Sequence, residues 1–212
     1  MLAELPRNLD KHAFTVTRRK VEIYTVDQAK ALYGSATGQT RLHILLALNC
    51  GMYAGDISDL QDSEVDWRHG RIIRKRSKER DVKDAPTVNY KLWTKTFELL
   101  REYRSGGPTV LLTKTGGLWC WEAFGDDGKL RSSDSIATNF KRLRGKIGGK
   151  LLPFKHLRKT GNSLLKTQAE FTDLGSHYLG QVPQTIEERH YSDPPQVRFD
   201  RALDWLGSQF GL

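Results

Sequence analysis

Cysteine is nearly missing from this chain: Cys50 and Cys120 are the only two in 212 residues. Neither forms a metal-ligand pair with a nearby cysteine or histidine, which argues against a zinc module. So sparse a usage fits a reducing compartment. Cys50, inside "LLALNCGMY", reads as a small buried hydrophobe. Long apolar runs are missing too, and nothing approaches the roughly 20 residues that span a bilayer. The N-terminal "MLAELPRNLDKH" has no apolar core followed by a small-residue cleavage site. The expected location is the cytoplasm. Glycine occurs in "SGG" and "KTGG", without the spacing of a phosphate-cradling P-loop, which argues against a nucleoside triphosphatase. No G-x-S-x-G elbow and no Ser-His-Asp order appears. Acidic residues fall short of basic ones, 25 against 34, so the net charge is +9 and the pI about 9.6. That imbalance favours a polyanionic partner, with nucleic acid ahead of a membrane surface.

What is present suits one domain with a real core. Residues 1–24 read as an N-terminal extension or linker, with strand-like alternation in "FTVTRRKVEIY". Thr25 and Gln28 form a capping box that opens a helix with Gly34 as its stop. "TRLHILLALNCG" is apolar on several faces, so it reads as a central, buried helix interrupted at Gly51. The shorter "AGDISDLQ" follows. Runs at 65–67, 71–75 and 81–85, joined by "HG" and "RSKER", read as a small antiparallel meander. "VNYKLWTKTFELLREYRSG" reads as an amphipathic helix ended by Gly106–Gly107. "TVLLTKTGGLWCWEAFGDDGKL" reads as one buried strand and a glycine-rich loop with two tryptophans.

The remaining third is helical in pattern. "SSDSIATNFKRLRGKIGG" is a basic helix with Ser or Asp caps, and "LPFKHLRKTGNSLLKTQ" is a helix with Pro153 near its first turn. "FTDLGSHYLGQ" and "TIEERHY" are short helices. "VRFDRALDWLGSQF" is a last amphipathic helix with Val197, Leu203, Leu206 and Phe210 along one side. The expected fold class is mainly α with a small antiparallel β-sheet (α+β). The main domain spans 25–196, and 197–212 is a C-terminal helix that docks either on its own domain or in trans on a neighbouring copy.

Cations bunch in two places. The first group is Arg71, Arg74, Lys75, Arg76, Lys78 and Arg80; the second is Lys141, Arg142, Arg144, Lys146, Lys150, Lys155, Arg158 and Lys159. Turns and helix N-termini carrying cations suit phosphate contacts, which give affinity that falls with salt. Arg74, Arg76, Lys78, Arg142, Arg144 and Lys159 are the candidate DNA-backbone contacts. The bland alternative is a solvated charge run.

The C-terminal region resembles the active-site region of the tyrosine recombinases, the phage integrase family. The family pattern H-x-L-R-H-T corresponds to Lys155–Thr160 ("KHLRKT"), and its L-G-H corresponds to Leu179–Gln181 ("LGQ"). Tyr191 follows Gln181 at a distance of ten, in the place of the family's tyrosine. Upstream, "LLALNCGMYAGDISDLQDSEVDW" is similar to the family's L-x-T-G-x-R-x-x-E-L-x-x-L segment and the strand after it. "IIRKRSKERDV" is similar to its β-hairpin with a lysine-bearing turn. The likeness covers about residues 25–205, in order.

The resemblance implies an enzyme that cuts and rejoins double-stranded DNA through a 3′-phosphotyrosyl intermediate, with no metal and no nucleotide cofactor. It implies Tyr191 as nucleophile, Arg158 as the second active-site arginine and Lys75 as the acid for the leaving 5′-oxygen. Such roles are physically apt, because a phenol forms a phosphodiester link that stores bond energy. Arginine stays charged and presents a planar donor fork to the phosphoryl oxygens. Lys155 and Gln181 occupy the two histidine positions; Gln181 can donate a hydrogen bond but cannot shuttle a proton. Tyr53 occupies the first arginine's position. Arg41, Arg74 and Arg76 are candidates to supply the missing cation in space, and His156 adjoins Lys155. The resemblance further implies self-association on DNA through the C-terminal helix. It leaves almost no room before residue 25 for a DNA-clamping domain. Three readings remain open: an active strand transferase, a DNA-binding relative without chemistry, and a basic interaction domain with no nucleic-acid role.

Overall fold

The computed structural model describes residues 21–148, 152–182 and 194–212. Helix α1 (Val26–Ser35) starts on the expected capping box: Thr25 Oγ1 accepts from Gln28 N at 3.1 Å, and Gln28 Oε1 accepts from Thr25 N at 3.0 Å. It runs one residue past Gly34. Helix α2 (Gln39–Asn49) is the hub, with every residue from Leu42 to Asn49 buried. Around it pack α1, α4 (Thr94–Glu102), α5 (Ser135–Ile147), α6 (Lys155–Thr167) and a C-terminal helix (Gln196–Phe210). A helix apolar all round belongs at such a centre. Its one buried amide is satisfied at both ends: Asn49 Nδ2 donates to Lys91 O at 3.0 Å, and Oδ1 accepts from Trp93 N at 2.8 Å. The short α3 (Ala54–Ser58) leaves the hub after Gly51, whose φ of +58° suits glycine.

The sheet is a three-stranded antiparallel meander of β1 (Val65–Asp66), β2 (Arg71–Arg74) and β3 (Val88–Lys91). Register pairs Val65 with Ile72 and Arg74 with Val88. The third strand is not at 81–85, as expected, but seven residues later. Residues 81–84 are exposed and carry no apolar alternation, whereas Val88 and Tyr90 turn inward as alternate residues of a strand do. The amphipathic helix therefore starts at Thr94 rather than near Val88.

A second difference lies at 109–134. Val110 and Leu111 are buried but form no strand, and Thr109 makes only an isolated bridge to Gln61. The glycine-rich loop leads into a hairpin, β4 (Cys120–Phe124) and β5 (Leu130–Asp134). Most of its side chains face solvent on both sides, so the period-2 hydrophobic signal is missing. Asp134 then caps α5, accepting from Ala137 N at 2.8 Å. Residues Val21–Tyr24 are not a strand; Tyr24 is buried and its N–H donates to Thr160 Oγ1 at 2.9 Å.

The C-terminal helix packs in cis. Phe199, Leu203, Leu206 and Phe210 are buried in the common core, and Trp93 Nε1 donates to Leu203 O at 2.8 Å. Gly207 lets that indole lie flat: a Cβ there would meet Trp93 Nε1 at 2.8 Å. Arg71 holds Asp200 through two contacts, at 2.6 and 3.0 Å. Val197, expected on the apolar side, is instead 73% exposed. No helix among the described residues is long and apolar enough to cross a membrane.

Candidate functional site

The site forms where four segments meet: the α2–α3 turn, the residues after β2, the N-terminal half of α6, and α7 (Gly175–Tyr178) with the turn after it. Arg158 enters from the buried stripe of α6, beside Leu157, Gly161 and Leu165. It is 3% exposed. Its guanidinium donates to the carbonyl of Gly51 and to Leu179 O, the latter at 2.7 Å, and lies over the Tyr53 ring at 4.5 Å. Tyr178 braces this arrangement. Its phenol donates to Leu48 O at 2.7 Å, its carbonyl accepts from Tyr90 OH at 3.0 Å, and a Cβ at Gly161 would collide with its hydroxyl. Burial raises both the Tyr178 and Tyr90 phenols above their ordinary pKa, so neither is poised to ionise as a nucleophile.

The residues after β2 approach from the other side. Asp56 accepts from Tyr53 N at 2.8 Å and from Ser77 N at 3.0 Å, tying the start of α3 to the 3₁₀ turn Ser77–Glu79. Ile72 and Arg74 are the buried alternate residues of β2, and Arg76, two residues further on, also reaches the site. Arg74, Arg76 and Arg158 line one small pocket with Gly51, Tyr90 and Leu179. Arg76 places its guanidinium 5.1 Å from the centre of the Tyr53 ring. It also pairs with Glu79 at 2.8 Å, and Glu79 accepts from Val182 N at 3.1 Å. Gly180 fits beside it, with space for a Cβ only 3.6 Å from that of Arg76. Leu179-Gly180-Gln181 is thus brought to the pocket, although the Gln181 side chain is exposed and only its backbone N is fixed, on Ser176 O at 3.1 Å.

Other expected residues fall elsewhere. Arg74 is no phosphate contact: it is 4% exposed and saturated by Asp56 O at 2.6 Å, Asp59 at 2.9 Å, Ser77 Oγ at 2.8 Å and Lys75 O at 3.1 Å. Lys75 follows β2, and its Nζ lies 3.4 Å from Val82 O rather than in the pocket. Lys155 is exposed at the first residue of α6. His156 turns inward but onto Glu22 O, at 2.7 Å. Arg41 lies on another part of the surface, over the Tyr33 ring at 5.4 Å. Lys78 and Arg142 are exposed, Lys159 is half-buried, and Arg144 packs over Phe140 at 5.9 Å. Tyr191 and the helix expected at "TIEERHY" lie outside the described residues, as does Lys150. Asp56 and Gly161 were missed, having only their local spacing to single them out. Among the described residues no cluster of three His, Cys, Asp or Glu could hold a metal ion.

No family model matches the sequence, and no curated protein matches it. Solved structures do match. The lambda integrase catalytic core aligns with a TM-score of 0.52 and 21% identity, over 74% of this chain and 93% of that one. XerA recombinase gives 0.57 and 16%, over 99% and 70%. A lambda integrase dimer bound to a COC′ core site gives 0.56 and 19%, over 87% of this chain; this chain spans about half of its length, 50%. The integrase of transposon Tn1549, in complex with transposon right end DNA, gives 0.57 and 13%, over 94% and 70%. The chain has the fold of a tyrosine recombinase catalytic domain, with Arg158 and Leu179 lining one pocket and the Tyr53 ring under the Arg158 guanidinium.

Proposed function

We propose that this domain cuts and rejoins double-stranded DNA through a 3′-phosphotyrosyl intermediate. The observation that supports it most is Arg158: a buried guanidinium held in a pocket against the "LGQ" turn, in a chain with the integrase-type fold. In this reading the Tyr191 oxygen attacks the scissile phosphorus, and the new P–O bond forms as the phenolic proton passes to water. The P–O5′ bond breaks, and a proton passes to the leaving 5′-oxygen from Lys75, whose ammonium must turn away from Val82 O. Arg158 meets charge that grows on the non-bridging oxygens. Gln181 and Lys155 flank that charge as neutral and cationic donors. Lys141, Arg142, Lys146 and Lys159 would hold the flanking backbone, and neutralising such phosphates makes affinity fall with salt.

A second reading, DNA binding without chemistry, is favoured by the outward Lys155 and Gln181 and by Tyr53 at the first arginine position. A nicked suicide duplex, from which the cleaved fragment escapes, separates the two. The proposal expects a covalent protein–DNA complex that Tyr191→Phe abolishes while duplex binding persists. Salt-sensitive binding with no covalent complex on any duplex tested would select the second reading, and no binding at low salt would sink both. Self-association through the C-terminal helix, with which the proposal is compatible, would exchange the contacts that Phe199, Leu203 and Phe210 make in their own core for the same contacts in a neighbouring copy.

A further inference from the structure

The pocket has a cation too many for its fold position and one too few for its sequence pattern. Tyr53 stands at the first arginine's place and supplies at most one neutral donor there. Three arginines were open to fill the gap, and the structure separates them. Arg41 is engaged at the Tyr33 ring and Gly34 O. Arg74 reaches the pocket wall, but all three of its nitrogens are bonded to protein acceptors and its side chain is 2% exposed. Arg76 remains. It lines the pocket together with Arg158, its side chain is 16% exposed, and among the described residues its side chain has a single hydrogen-bond partner, Glu79. Its Nε is buried with no acceptor.

Tyr53 links the two arginines. Its ring carries the Arg158 guanidinium at 4.5 Å and the Arg76 guanidinium at 5.1 Å. Two like charges drawn to one aromatic ring repel each other, and an anion between them would relieve the repulsion. Hydrogen bonds fix the elements that carry them. Asp56 ties Tyr53 to Ser77, Glu79 holds the Arg76 head, and Val182 N holds Glu79.

We infer that Arg76 is the second guanidinium of the catalytic site, delivered from the turn after β2 in place of the residue that Tyr53 displaces, and that the Tyr53 ring is the platform that sets its position beside Arg158. The pair forms an oxyanion site for a phosphodiester. This rests on the strand-transfer reading for its substrate, but the anion site itself can be tested without cleavage.

Two arms separate the failures. In the first, single-turnover formation of the covalent complex is timed on a nicked suicide duplex. Arg76→Ala lowers the rate at least about 100-fold, as loss of one transition-state donor does, and Arg76→Lys recovers part of it. A scissile methylphosphonate, which lacks one anionic oxygen, narrows the gap between Arg76→Ala and the parent protein. A purely structural role would leave the gap unchanged on the neutral substrate. A rate within about threefold of the parent, or a gap indifferent to the methylphosphonate, overturns the inference. In the second arm, orthovanadate is titrated while the arginine Nε–H signals are followed by NMR. The Arg76 and Arg158 signals shift together, and Arg76→Ala weakens binding by about tenfold or more, the worth of one charge-assisted hydrogen bond. No vanadate binding, or binding unchanged in Arg76→Ala or Arg76→Lys, overturns the inference. A parent protein that binds vanadate through both arginines but traps no DNA sinks the strand-transfer reading and leaves the anion site standing.

Discussion

The two basic clusters look alike in sequence and behave differently in the fold. Around β2, four of the six cations are matched by carboxylates: Arg71 by Asp200, Arg74 by Asp59 and Glu64, Arg76 by Glu79, and Arg80 by Asp59 and Glu64. On α5 and α6, Lys141, Arg142, Lys146, Lys155 and Lys159 have no carboxylate partner among the described residues. Arg71, Arg74 and Arg80 are internal architecture, stapling the hairpin to α3 and to the C-terminal helix, whereas Arg76, paired to Glu79, also lines the pocket beside Arg158. Those five residues of the second cluster, unpaired with carboxylates, are the ones that can meet an external polyanion. Charge density alone does not make a nucleic-acid surface; what matters is how much of it the protein has already neutralised.

The largest expected effect breaks the first cluster. Arg74→Ala leaves the buried Asp56 O without its donor and takes from Asp59 and Glu64 one of the two arginines that face them, Arg80 remaining. Removing one partner of a buried pair costs about 3–5 kcal/mol, and the partial exposure of Asp59 puts this case near the lower end. Urea unfolding should show the midpoint collapse, and an unchanged midpoint would contradict the structural assignment. The comparison has to be made above pH 6.5, because of His43. Burial alone lowers its pKa to about 3, and both ring nitrogens lack hydrogen-bond partners among the described residues. The folded pKa is depressed, so the unfolded chain binds more protons between about 3 and 6.5 and stability is lost as pH falls through that window. The slope is at most about 1.4 kcal/mol per pH unit, and His43→Leu should flatten it in a series of urea midpoints.

The second cluster is tested by affinity. Replacing Lys141, Arg142 and Lys146 with Gln should leave the unfolding midpoint within about 0.5 kcal/mol of the parent. The same triple change should reduce the slope of log affinity against log salt by up to about 3, nearly one per lost phosphate contact. Fluorescence anisotropy at several salt concentrations measures it, and an unaltered slope would move the DNA surface elsewhere. The smallest effect is Arg80→Ala. Its side chain is 44% exposed, so its two carboxylate contacts are worth no more than about 1 kcal/mol after solvent screening.

Much of this was legible in the residues. The Thr25 capping box, the all-apolar α2 and the meander announce themselves through local chemistry. Arg158 stands within the apolar stripe of α6, a position where an arginine is costly unless it is held. Other features were hidden for physical reasons. The β4–β5 hairpin is exposed on both faces, so only its Asp-Gly turn, 127–128, betrays it. The shift of β3 follows from long-range pairing with β2, which propensity does not encode. Arg74 and Arg76 were legible only as two of many cations, candidates both for DNA-backbone contacts and, with Arg41, for the missing active-site cation, and nothing local ranked them. For Arg74 the signal was its period-2 spacing from the buried Ile72 within β2, which turns it inward.

The most direct test of the account is to trap the protein on a nicked duplex, digest it, and map the modified peptide by mass spectrometry. The account predicts one adduct, a DNA 3′-phosphate joined to Tyr191, formed by the parent protein and depleted at least about 100-fold by Arg76→Ala. An adduct on any other residue, a 5′ linkage, or full adduct formation without Arg76 would contradict it.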